Sequence, residues 1–129
     1  MSEPYVAIRV VMLPRDTNPL GSIHGGVILS YLDSAGAIGA RREVAKAGGA
    51  LPFLVTVAMN RVEFKLPVLV GDVVSFKTNM VKMGRTSITM HVAVEAERGT
   101  ETLQVTNAEV VYVGINPQDR QPRPLLPEK

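Results

Sequence analysis

Apolar and polar positions along the chain change period twice. Residues 5–13 are rich in Val, Ile and Met and predict a strand that Pro14 ends. Residues 14–25 carry Pro14, Asn18-Pro19, Gly21 and Gly25, breakers that predict a long loop. From Gly26 to about residue 47, Ile28, Leu32, Ala35 and Gly39 recur at spacings of three and four, the period of one long helix. Arg41, Arg42 and Lys46 complement the dipole at its end, and Ala47-Gly48-Gly49 stops it. Strands follow at 53–64, 73–83, 87–97 and 102–115, separated by Lys65-Leu66-Pro67, Gly71-Asp72, Gly84-Arg85 and Arg98-Gly99. The third of these alternates cleanly, with Ile88, Met90, Val92, Val94 and Ala96 on one face and Ser87, Thr89, His91 and Glu95 on the other. A strand, a helix and four strands on short turns predict an α+β domain over residues 1–115, a mostly antiparallel sheet of five or six strands around one central helix. Such a sheet has free edges, and pairing them between copies predicts a homo-oligomer. Residues 116–129 hold Pro117, Pro122, Pro124 and Pro127 and predict an extended tail.

Composition narrows the function classes. The 129 residues fit one domain, and 46% hydrophobic residues suffice for a core built from aliphatic side chains, because the chain has no Trp. A net charge of +2 is too small to argue for nucleic acid, although it permits an anionic ligand. With no cysteine, disulfides, thiolate metal sites and a Cys nucleophile are excluded, which fits a cytoplasmic setting. No signal peptide and no membrane span are expected. His24 and His91 lie at no metal-ligand spacing, so no metal is expected.

Candidate chemistry concentrates where the loop meets the helix. His24-Gly25-Gly26 opens the helix, and glycines there let a ligand approach backbone N–H groups that carry partial positive charge. Such donors suit an ester or thioester carbonyl that gains negative charge during attack; the same residues also read as a plain glycine start. His24 reads as a base, a ligand contact or a loop residue. Asp33 has Leu29, Gly36 and Ala37 at i−4, i+3 and i+4, a small apolar face on which a solvated acid is out of place. It reads equally as a surface acid beside Ser30 and Ser34. Asn18, ahead of Pro19, reads as a turn-former, and Asp16 as shaping the same loop. In the stretch 82–87, Arg85, Thr86 and Ser87 can bind phosphate from a tight turn or form an ordinary solvated hairpin. Gly25 and Asp33 are eight residues apart, roughly 12 Å along a helix, too far for both to touch one carbonyl. A catalytic reading therefore predicts two sites per dimer, each using groups from both chains.

Several of these stretches resemble the hot-dog-fold acyl-CoA thioesterases, in particular the YciA-like and cytosolic acyl-CoA hydrolase group. The matching residues are the run 14–21, His24-Gly25-Gly26, the run 32–36 with Ala40-Arg41, Val57 with the run 64–67, Val70-Gly71-Asp72 and the run 84–87. The resemblance implies a long helix wrapped by an antiparallel sheet, dimers joined sheet edge to sheet edge, and larger assemblies such as homohexamers built as trimers of dimers. It implies hydrolysis of acyl-CoA to a carboxylic acid and CoA, with no cofactor beyond the CoA of the substrate. By the same resemblance Asp33 is the catalytic carboxylate, as general base or as nucleophile through a mixed anhydride. Asn18 is an active-site amide supplied by the partner subunit, Gly25 and Gly26 are carbonyl-polarising donors, and Arg85, Thr86 and Ser87 lie near the CoA moiety. Hot-dog domains also serve as dehydratases or hydratases on acyl thioesters, where His24 would carry the proton, and as non-catalytic acyl-CoA sensors.

Overall fold

The computed structural model describes residues 3–50 and 52–127. Strand β1 (Tyr5–Val11) leads through a 3-10 turn (Pro14–Asp16) to helix α1 (Gly25–Lys46), and then come β2 (Phe53–Phe64), β3 (Val73–Met83), β4 (Ser87–Arg98) and β5 (Glu101–Ile115). These strands form a single five-stranded sheet in the order β1-β3-β4-β5-β2. Every pairing is antiparallel. The α+β expectation holds, and strand and helix limits fall within two residues of those the periodicity predicts. The order adds a feature that periodicity does not contain: β2 lies on the far edge, paired with β5, while β1 forms the other edge.

The helix packs across one face of the sheet. Its buried residues are Ile28, Leu32, Ala35, Gly36, Gly39, Ala40 and Val44, so the spacing of three and four marks the core-facing stripe. They meet Val74 and Phe76 of β3, the set Ile88 to Ala96 of β4 that alternation predicts, and Ala108, Val110 and Tyr112 of β5. Each fully buried aliphatic side chain contributes roughly 1.5–3 kcal/mol by leaving water. The small residues of the helix serve this packing. A Cβ on Gly36 would lie 2.2 Å from the Tyr112 hydroxyl, and one on Gly39 would lie 2.5 Å from Thr78 Oγ1. What approaches the helix backbone is therefore the sheet.

The extended tail predicted for residues 116–129 is not what the described part of it forms. Ile115 and Pro122 make an antiparallel bridge, and Leu125 is buried in the core. Arg123 N–H donates to Gly114 O (2.8 Å), and Leu125 N–H to Arg85 O (2.9 Å). Proline removes a donor only at its own position, so Arg123 and Leu125, between prolines, keep theirs. Glu128 and Lys129 lie outside the described residues.

One ion pair secures the loop between β2 and β3. Asp72, 2% exposed, accepts from Arg98 Nε (3.0 Å), Arg98 Nη2 (2.7 Å) and Leu69 N–H (2.9 Å). Arg98 Nη2 also donates to Pro67 O (3.0 Å). The Arg98 hydrogen bonds hold the Asp72 carboxyl below its ordinary value of 3.8, against the opposing effect of burial. A carboxylate with a lowered folded pKa stabilises the fold above its unfolded pKa and loses that contribution as pH falls through the folded one. Asp72→Asn should cost on the order of 2 kcal/mol at neutral pH, less than a fully enclosed pair because Arg98 is partly in water. In urea unfolding, the gap to wild type should stay constant above about pH 5 and narrow below the ordinary Asp72 value. A gap that does not change with pH would show that the charge contributes nothing.

Candidate active site

The loop before the helix is fastened to itself. Asn18 Oδ1 accepts from the N–H groups of Leu20 (2.9 Å) and Ser22 (3.2 Å), while Asn18 Nδ2 donates to Ser22 Oγ (2.9 Å). Gly21, at φ +86°, supplies the left-handed residue that closes the turn. Asp16 accepts from Leu13 N–H through Oδ2 (3.2 Å), and its carbonyl accepts from His24 N–H (2.8 Å). Ile23 N–H donates to Val68 O (2.7 Å), which ties the loop to the segment that Arg98 holds. The turn-forming roles of Asn18 and Asp16 are thus present. Asn18 Nδ2 has a second N–H on a loop whose tip, Leu20, is 91% exposed.

His24 caps the helix. Its Nδ1 accepts from Gly26 N–H (3.2 Å), which requires an unprotonated ring nitrogen. This engages one of the two glycine donors inside the chain and leaves Gly25 as the donor nearer the loop. Gly25 faces the Phe64 ring, with a virtual Cβ 3.6 Å from Cζ. An apolar cavity of about 270 Å³ opens beside it, lined by Ile23, Ile28, Phe64, Leu66 and Val68.

Asp33 lies two turns further along α1, in a separate cluster. Its Oδ1 accepts from Thr56 Oγ1 on β2 (2.7 Å), and its backbone carbonyl accepts from the Tyr112 hydroxyl on β5 (2.6 Å). Thr56 and Tyr112 are direct cross-strand partners. Burial first, and then the nearby Asp33 charge, push the Tyr112 phenol far above its ordinary value, so it remains a donor. Asp33 is half-buried; its Oδ1 is held by Thr56, and among the described residues its Oδ2 accepts no hydrogen bond. Periodicity singles out neither Thr56 nor Tyr112. Each reads as an ordinary strand residue until the β2–β5 register sets both beside the helix.

The turn at residues 84–87 joins this second cluster. Gly84 N–H donates to Ser87 O (2.8 Å) and Gly114 N–H to Thr86 O (2.8 Å), while Ser87 pairs with Val113 next to Tyr112. The structure thus sorts the sequence candidates into two groups. Asn18, His24, Gly25 and Gly26 sit near the Phe64 end of β2. Asp33, Thr56, Arg85, Thr86 and Ser87 sit toward the Phe53 end. Among the described residues no group of three or more His, Cys, Asp or Glu is placed to hold a metal ion.

One long helix packed across a five-stranded antiparallel sheet is the arrangement of the hot-dog fold. The chain belongs to the thioesterase superfamily, whose family model matches residues 20–103. It is 36% identical over 125 residues to the acyl-CoA thioester hydrolase YciA of Salmonella typhimurium, covering 93% of this chain and 89% of that one. A hexameric hotdog fold thioesterase of Campylobacter jejuni superposes with a TM-score of 0.83 at 40% identity, over 95% of this chain and 90% of the other. The hexameric broad specificity acyl-coenzyme A thioesterase HI0827 superposes with a TM-score of 0.84 at 33% identity, over 100% of this chain and 86% of the other.

The contact beneath Asp33 is testable. Gly36→Ala forces a Cβ against the Tyr112 hydroxyl and should lower stability by about 1–3 kcal/mol. Removing that hydroxyl relieves the clash, so Gly36→Ala combined with Tyr112→Phe should be less destabilised than the sum of the two single changes. Thermal unfolding of the four proteins measures the coupling; strict additivity would show that the two residues do not meet.

Proposed function

We propose that this chain hydrolyses acyl-CoA thioesters to a carboxylic acid and CoA, at sites shared between two copies. The observation that carries the reading is the separation of the two groups along one edge strand. The helix places Gly25 and Asp33 roughly 12 Å apart, so one chain offers a carboxylate at one place and N–H donors at another. β2 is a sheet edge, and its Phe53, Val57 and Phe64 are 61%, 56% and 52% exposed. An exposed apolar edge strand calls for a partner. Antiparallel joining of two β2 strands about their middle carries the Asp33 group of one copy to the Gly25 group of the other. It also gives the exposed loop tip at Leu20, next to half-buried Asn18, a second copy to meet. The hexameric relatives support a larger homo-oligomer, which this reading builds from three such dimers. No described helix is long and apolar enough to cross a membrane.

In the composite site, Gly25 N–H at the positive end of α1 receives the thioester oxygen as it gains charge. Asn18 of the same copy orients water or the carbonyl through its second amide N–H. Asp33 of the other copy takes the proton as the water oxygen bonds to the carbonyl carbon; the C–S bond then breaks and the thiolate recovers a proton. Attack by Asp33 itself, through an anhydride that water opens, uses the same geometry. Either route needs one free carboxylate oxygen, which the single bond from Thr56 leaves. The hydratase alternative places proton transfer on His24, whose Nδ1 accepts from Gly26 N–H; turnover of an enoyl-CoA by wild type and His24→Ala separates the two readings.

Asp33→Asn should lower kcat by on the order of 10²–10⁴ across a panel of acyl-CoAs of increasing chain length, with the oligomer intact by size-exclusion chromatography. Near-wild-type turnover by a folded oligomer would sink the assignment. Sharing has its own test. Asp33→Ala and Asn18→Ala chains, each inactive alone, should regain about a quarter of wild-type activity when co-expressed, because half the dimers are mixed and each holds one intact site. No regain would place both groups in one chain's site.

A further inference from the structure

β2 is irregular at two places. Its pairing with β5 slips between Thr56 and Ala58 and again between Asn60 and Glu63. Each slip is a bulge with one residue more on β2 than on β5, and each reverses the face that the following side chains take. Thr56 pairs with Tyr112 and Phe64 with Thr106, both buried residues on the helix side of the sheet. Between the bulges the alternation is reversed. There Met59 pairs with buried Val110 and packs against the core, while Asn60 pairs with Glu109 on the opposite face. The two bulges cancel, so the residues that meet Asp33 and Gly25 end on one face. A single bulge would turn Phe64 away from the helix.

The second bulge contains Arg61 at φ +54°, in the left-handed region, which is costly for a residue with a Cβ. Its ion pair with Glu109 (3.7 Å) leaves the Arg61 side chain 80% exposed, and such a pair contributes little. A costly backbone at the rim of a sheet points to a use on its open side. Bulges govern what can pair with an edge, because a straight strand laid against β2 loses hydrogen bonds at each bend. A second β2, running antiparallel, meets both bends with its own in one register. The bulged positions Val57 and Arg61 are four apart, and Met59 lies midway. With Met59 opposite its own counterpart, Val57 of each copy faces Arg61 of the other. Thr56 then stands opposite Val62 of the second copy, and that copy's Phe64 is the diagonal neighbour on the same face, about 7–8 Å away.

We propose that the left-handed bulge at Arg61 sets the register in which two copies join, centred on Met59, and so fixes how the Asp33 carboxylate of one copy is placed against the Gly25 donor of the other. This rests on the shared-site reading and assigns the residue that aligns it. The chain has no cysteine, so a single introduced one reports only on its counterpart in a second copy. A disulfide needs Cα atoms within about 7 Å, and directly opposed antiparallel residues are about 4.5–5.5 Å apart. Residues one position from the centre lie about 8 Å from their own counterparts. Under mild oxidation, Met59→Cys should form the linked dimer at least about tenfold faster than Val57→Cys, Ala58→Cys, Asn60→Cys or Arg61→Cys, read on a non-reducing gel. In the Met59→Cys background, Arg61→Gly, which adopts left-handed backbone freely, should keep the linkage, whereas Arg61→Val should slow it about tenfold. Circular dichroism checks that both variants fold, and the scan of five positions stands whether or not they do. Fastest linkage at another position, no effect of Arg61→Val in a folded chain, or equal loss in the Gly and Val variants overturns the proposal. Each of these leaves acyl-CoA hydrolysis and its Asp33→Asn test untouched. No linkage at any of the five positions removes the β2 joining itself, and the shared-site reading with it.

Discussion

Tyr112 reaches the carbonyl of Asp33 only because residue 36 has no Cβ. That contact fixes how close α1 comes to the sheet and where along β5 it rests. With the helix seated there, the Asp33 carboxylate meets Thr56, the cross-strand neighbour of Tyr112, and one oxygen is held by a hydroxyl. Gly39 over Thr78 repeats the close approach one turn later, so the helix touches the sheet at two consecutive points. Close packing of backbone to side chain resists sliding better than interleaved long side chains, which can change rotamer. The position of the acid follows from missing carbons.

The second constraint is the length of a helical turn. Gly25 and Asp33 stand on one rigid rod, and no adjustment of side chains brings them to one reacting carbon. The sheet resolves this by its strand order. Because β2 crosses to an edge, the strand that contacts Asp33 through Thr56, and packs Phe64 against Gly25, is also the strand open to a second copy. In the proposed function, sharing of the site and the exposed apolar edge are linked, since the same surface that needs covering carries both groups.

Outside the helix, order is imposed from below. Arg98 holds Asp72 and Pro67, Val68 holds Ile23, and Asp16 holds His24, so a chain of polar contacts runs from the end of β4 to the first residues of α1. At the opposite end of β2, Leu125 of the C-terminal segment does the corresponding work for the turn at 84–87. Neither support contains a residue that reacts, yet each fixes a backbone segment beside one of the two groups. His24 also belongs with these supports, since its Nδ1 accepts from Gly26 N–H in the first turn of the helix.

Local physics determined much of this protein. The periods of three to four and of two name the helix and each strand, and Ile88 to Ala96 are buried as alternation requires, because side-chain direction repeats with the backbone. Spacing alone also separates Gly25 from Asp33, since helical rise does not depend on context. The loop motif and Asp33 stand out as candidates through their residue types and their family resemblance. Tertiary structure alone decided the rest. Strand order depends on which edges pair across long separations, and nothing in β2 itself says that it lies on the edge beside β5. Thr56 and Tyr112 became partners of Asp33 through that pairing. The prolines of the C-terminal segment mark where hydrogen bonds are denied; only the folded chain shows that Arg123 and Leu125 use the donors that remain.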